Sequence, residues 1–134
     1  MDSKVIEAVS YGYVRRSGTE TYLQNHDAAN ATEVGNVSIR CGQYYDSVGG
    51  DYYDNSRGGV GFSLTDLPLN AVITAATLSL YISTDDSGTD FDITIVSGTD
   101  LAATLVLADW GDLLDDITSY GALTTVGLVV GAYS

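Results

Sequence analysis

Residues 57–83 read RGGVGFSLTDLPLNAVITAATLSLYIS, and this stretch decides the fold class. It predicts two strands, 60–66 and 72–83, joined by a short turn at Pro68. In the first strand Val60, Phe62 and Leu64 share one face, with Gly61, Ser63 and Thr65 on the other. In the second, Ala76, Leu78, Leu80 and Ile82 oppose Thr77, Ser79, Tyr81 and Ser83. A period of two with one apolar face marks a strand half-buried in a sandwich or barrel. Pro68 falls between the strands, where a missing N–H costs little.

Beyond Ser83 the same grammar continues. A polar, acidic turn, 84–90, precedes Phe91, Ile93 and Ile95, which alternate with Asp92, Thr94 and Val96. The turn Ser97-Gly98-Thr99-Asp100 leads into a strand through Ala103, Leu105 and Leu107. At 108–118 the period lengthens: Trp110, Leu113, Leu114 and Ile117 share a helical face, so one short helix is expected there. Gly121 should end it, and 123–130 should form the last strand.

On the N-terminal side, residues 3–16 hold one or two strands in which Tyr11, Tyr13 and Arg15 alternate with Gly12, Val14 and Arg16. Residues 17–36 are polar and aperiodic and read as mostly loop. A strand at 37–42 is followed by a long loop, 43–59, containing the triplet YYD twice, each copy trailed by a GG pair. Seven or so short strands separated by turns indicate an all-β fold, an antiparallel β-sandwich of jelly-roll type with the one helix. A closed barrel fits less well, because the loops are so uneven. The 134 residues suit one domain, 1–134, with a hydrophobic core of its own.

Composition narrows the function. The chain carries 18 Asp and Glu against 5 Lys and Arg, a formal charge of −13. Such a surface repels phosphates and lacks the basic-aromatic pattern of a nucleic-acid binder, so no nucleic-acid partner is expected. No apolar run approaches the roughly 20 residues of a membrane span, so no membrane insertion is expected. The start, MDSKVIEAVS, lacks the basic and apolar regions of a signal peptide. Either the chain acts without that export route or a leader has been removed. Cys41 is the sole cysteine, which excludes an internal disulfide; in phase with Val37 and Ile39, it reads as a small core residue.

Catalytic patterns are thin. His26, the sole histidine, lies in the polar run Gln24-Asn25-His26-Asp27, away from any serine-bearing turn. Glu7, between Val5 and Val9, has the one apolar setting that could raise a carboxyl pKa, but no acidic partner lies nearby in sequence. One Cys and one His make zinc a poor fit. Calcium suits the chain better, because hard cations need several oxygens. Asp85, Asp86, Asp90 and Asp92 bracket one turn, and Asp46, Asp51 and Asp54 punctuate the tyrosine loop. Neither has EF-hand spacing, and solvated acidic turns have the same composition.

Tyr44, Tyr45, Tyr52 and Tyr53 form the most suggestive surface. In extended backbone each adjacent pair splits between two faces, so one ring can pack inward while the other meets a partner. Rigid amphipathic rings suit recognition. A loop pinned over the end of the fold by its own rings would have the same sequence.

The central stretch is similar to a family of β-sandwich modules with the pattern R-G-x-x-x-F-x-L-x-x-L-P-x-x-A-x-I-x-x-A-x-L-x-L-Y. Arg57, Gly58, Phe62, Leu64, Leu67, Pro68, Ala71, Ile73, Ala76, Leu78, Leu80 and Tyr81 fill its places. The family it resembles, the DNRLRE type, occurs in carbohydrate-binding and cell-surface proteins and in phage virion proteins. The phage versions also resemble this chain in Tyr11-Gly12-Tyr13-Val14-Arg15-Arg16 and from Ala108-Asp109-Trp110 through Thr118-Ser119-Tyr120-Gly121. The motif is structural and conveys fold, not ligand. Modules of this kind run on past the last strand expected here, and an edge left open would need cover, for instance a strand from a neighbouring subunit.

The resemblance implies a non-enzymatic module of a virion, as tail fibre, spike or capsid decoration, partnered as a homo-oligomer or with other virion or surface proteins. The alternatives are a carbohydrate-binding module that takes glycans on the tyrosine loop, with calcium at the acidic turns, and an extracellular filament subunit joined by strand donation.

Overall fold

A computed structural model of the chain describes residues 3–48, 50–98, 101–115 and 118–134. Among these the fold is mostly β, with antiparallel sheets and two short helices. The chain forms two compact units, 1–64 with 96–118, and 65–95 with 119–134.

The first unit is built on a four-stranded sheet of order β2-β1-β4-β3. Its strands are β1 (Ala8–Gly18), β2 (Glu33–Gly35), β3 (Gly42–Asp46) and β4 (Tyr52–Phe62). β1 and β4 pair along nearly their whole lengths, from Ala8 opposite Phe62 to Gly18 opposite Tyr53, with one irregularity between Ala8 and Ser10. Two segments read as loop are therefore ordered. Within 17–36 lie β2 and a helix, α1 (Tyr22–His26), whose capping box joins Thr21 and Gln24. Residues 43–59 belong to the β3–β4 hairpin, which runs from Gly42 to Phe62. The strand expected at 37–42 is displaced: 37–41 has no regular structure, and β3 begins at Gly42.

The buried face of this sheet is not the one that apolar alternation marked. Val60 is half-buried and Phe62 and Leu64 are exposed. In register, Val14 lies opposite Arg57, Arg16 opposite Asn55 and Gly12 opposite Gly59, so these six residues share a face. Against it pack Asn25 of α1 and Trp110 of α2 (Asp109–Asp115), both fully buried, together with Leu105. Val14, Ala31, Leu105 and Trp110 form the core cluster, flanked by Val34, Leu101 and Leu113. The expected helical face is thus present at Trp110 and Leu113; its continuation at Leu114 and Ile117 falls outside what is described. Leu105 is a core residue, but 103–107 is irregular and not a strand. Asp109 fixes this loop: its carboxylate accepts from Ala102 N at 3.2 Å and Val106 N at 2.7 Å.

The opposite face is covered by Tyr13 and by the segment before β3. The Tyr13 ring lies over Gly35, where an added Cβ would stand 2.2 Å from Cε1. Its hydroxyl donates to Glu33 at 2.8 Å, and the Arg40 guanidinium sits 4.7 Å over the ring. Cys41 lies over Gly58, and burial pushes its thiol pKa up.

The second unit contains β5 (Asp92–Val96) paired with β6 (Ser119–Thr124). β5 falls where Phe91, Ile93 and Ile95 placed it. Gly121, read as a helix end, lies inside β6, which replaces the strand expected at 123–130. Residues 72–83, the cleanest alternation in the sequence, form no strand; a single bridge links Tyr81 and Tyr133. Backbone hydrogen bonds around it join Leu80 to Ser134 and Ile82 to Ala132 and Gly131.

Candidate functional site

The hairpin sets the geometry of the tyrosines. β3 and β4 pair with Tyr44 opposite Asp54, Tyr45 opposite Tyr53 and Asp46 opposite Tyr52. Directly opposed residues share a face, so Tyr45 and Tyr53 lie on one side and Tyr44 and Tyr52 on the other. Each pair splits between faces as extended backbone requires. Burial divides differently: both β3 rings are exposed, Tyr44 at 59% and Tyr45 at 50%, and both β4 rings are half-buried. The strand's place in the sheet decides this, since β3 is an edge and β4 is flanked on both sides.

On the core side the rings form a row. Tyr45 and Tyr53 have centroids 4.8 Å apart at 31°. Tyr53 meets Tyr22 edge-on at 6.0 Å, and Tyr22 lies 5.4 Å from His26. Tyr22 and His26 come from α1, inside the polar run 17–36 expected to be mostly loop; the Thr21–Gln24 capping spacing is its signal in the sequence. The Tyr45 hydroxyl donates to Asp51 Oδ1 at 2.6 Å. That hydrogen bond, and then burial and nearby negative charge, push the phenol pKa up to about 12. His26 Nδ1 lies 2.6 Å from Asp27 Oδ1.

Beneath the row is a polar anchor. Asn55 Nδ2 donates to Asn25 Oδ1 at 2.5 Å, and Asn25 Nδ2 donates to the Tyr53 carbonyl at 3.4 Å. Arg57 stacks on Trp110 with its guanidinium 3.7 Å from the ring centroid, and donates to Trp110 O at 2.6 Å and His26 O at 2.9 Å. Burial pulls its pKa down to about 10. Arg57 therefore ties both helices to β4, and the row of rings rests on a fixed base.

On the other side, Asp54 faces Arg15 at 3.3 Å, and Arg15 also reaches Glu33 at 3.4 Å. Burial raises the Asp54 pKa, opposed by Arg15. Tyr44 and Tyr52 flank this network in register.

The acids named for calcium are not drawn together. Asp85 Oδ1 accepts from Ser87 N and Oγ, closing its own turn, and these bonds hold its pKa below the usual range. Asp90 accepts from Thr125 Oγ1 at 3.3 Å, Asp92 opens β5, and Asp86 is exposed. In the hairpin, Asp46 accepts from Val48 N. Among the described residues no group of three or more His, Cys, Asp or Glu could hold a metal ion. Glu7 is exposed just outside β1, not in an apolar setting. No helix of the described residues is long and apolar enough to cross a membrane.

A cavity of about 350 Å³, not foreseen from the sequence, opens in the first unit between Tyr11, Asn36, Gly59, Gly61, Leu101 and Leu105. Chemically, the exposed rings offer faces for stacking on apolar or C–H-rich surfaces, with Asp51 as a hydrogen-bond acceptor at their rim. In comparison with protein-family models, curated proteins and solved structures, no match is found.

Proposed function

We propose that the chain is a non-enzymatic structural and adhesion module of a phage virion, a tail fibre, spike or capsid decoration, that assembles with copies of itself. The architecture proposed with it is an antiparallel sandwich of jelly-roll type. One observation carries the reading: the second unit leaves Leu69, Val72, Ile73, Tyr81, Val126, Val129 and Tyr133 more than half exposed. Scattered apolar residues are ordinary on a surface, but this many from two neighbouring segments of one small unit call for a partner. The resemblance of residues 57–83 to virion-borne modules supplies the setting, and the acidic surface suits a particle exterior. Mass spectrometry of purified phage particles, with antibody labelling under the electron microscope, tests it. The chain should be found on the particle; particles without it, from a lysate that contains it, would overturn the proposal.

A second reading, glycan binding by the hairpin, is favoured by the stacked and exposed Tyr45. A glycan array should then show binding that Tyr45→Ala removes while the unfolding midpoint holds. An array without binders, repeated with calcium, sinks it.

A further inference from the structure

We infer that residues 72–78 form the strand through which two copies of the chain join, each pairing antiparallel with the same segment of the other. The inference rests on the assembly reading above and names its contact.

The segment 72–78, VITAATL, is rich in β-branched residues, yet it pairs with nothing described. The bonds that pair Leu80 and Ile82 with 131–134 stop short of it. Its side chains through Thr77 are exposed, with Val72 at 84% and Ile73 at 58%. A β-branched, apolar segment with free backbone donors and acceptors is a template for another strand, and natural proteins cover or blunt such segments. This one is not blunted. From Leu69 to Thr84 no residue is charged, although the chain as a whole carries −13.

The neutrality identifies the occupant. A cationic partner would seek the acidic turns, not an uncharged stretch. A second copy, equally acidic, is repelled across most of its surface and can approach closely here. The pattern is also self-complementary. A two-fold axis at Ala75 sets Val72 against Leu78, Ile73 against Thr77 and Thr74 against Ala76, with each pair on one face. Small residues at the centre let the two backbones meet, and the apolar ends close over them.

The experiment combines light scattering, hydrogen exchange and a charge pair. The native chain should have at least twice the 14.1 kDa of one copy, with slow exchange at the 72–78 amides that becomes fast on dilution. Ala75→Pro, at an exposed site, should reduce the mass to one copy without shifting thermal unfolding of the first unit. Val72→Glu and Leu78→Lys should each weaken association, and mixing them should restore it, because the axis places residue 72 against residue 78. A monomer with fast exchange overturns both this contact and the assembly reading. A monomer with slow exchange shows that the chain covers the segment itself, and also overturns it. An oligomer that survives Ala75→Pro with fast 72–78 exchange overturns the contact alone and leaves assembly through another surface.

Discussion

The Arg57 guanidinium lies 3.7 Å over the Trp110 ring, and the same group donates to the Trp110 carbonyl. One side chain thus holds both the ring and the backbone of α2, while its other arm holds the end of α1 at His26. This explains why an arginine stands at a half-buried strand position. A planar fork can stack and bridge two carbonyls at once; an ammonium cannot.

Arg57→Lys should therefore destabilise the fold although the charge is kept. Loss of the stack and one bridging bond should cost about 2 kcal/mol, and Arg57→Ala about 3 kcal/mol. Urea unfolding should show a lower midpoint at unchanged slope. A midpoint for Arg57→Lys equal to that of the native chain would show that charge, not the fork, is what β4 needs.

Asn25 and Asn55 form a buried side-chain pair beneath the tyrosines. Removing either partner leaves a desolvated amide, at a cost of about 1–3 kcal/mol. Asn25→Ala with Asn55→Ala should cost less than the sum of the single changes. Additive losses in a double-mutant cycle would rule out direct coupling.

The raised phenol of Tyr45 gives a pH signature. A group whose folded pKa exceeds its unfolded value, here about 12 against 10.0, contributes stability that is fully present below pH 10. It is lost as pH rises through 12, because the unfolded chain then releases the proton more readily. Spectrophotometric titration should show a late-ionising tyrosine, and Asp51→Ala should return it toward the ordinary range. An unchanged titration in that variant would assign the late proton elsewhere.

Gly12 faces backbone rather than a flexible side chain: a Cβ there would stand 2.4 Å from the Gly35 carbonyl oxygen. Gly12→Ala should force β1 and β2 apart and cost about 1–3 kcal/mol by overpacking. Hydrogen exchange at 33–35 should quicken first. Native exchange in that variant would mean the sheet accommodates the methyl without separating.

Apolar periodicity read correctly where apolar residues do the packing. β1, β5 and the helix around Trp110 were all legible for that reason. It misled in β4, whose buried face is Asn55, Arg57 and Gly59: an amide pair, a stacked cation and a glycine that leaves room for Leu105. The hairpin was missed because YYD and GG have turn chemistry, yet Tyr52 and Tyr53 are good strand formers once β1 lies beside them. Residues 72–78 fail the other way, having strand chemistry without a partner strand among the described residues. The tyrosine site was half legible: the four rings were named, but Tyr22 and His26 needed α1 to reach them.

The sheet of the first unit is closed to further growth. Its outer strands, β2 and β3, are three and five residues long, and β3 ends in Asp46 beside the exposed Asp51. Edges so short and acidic give an incoming strand little to zip along. If copies join through 72–78, the second unit supplies the strand contact that the edges of the first discourage, and its two-fold geometry closes at a pair instead of running on.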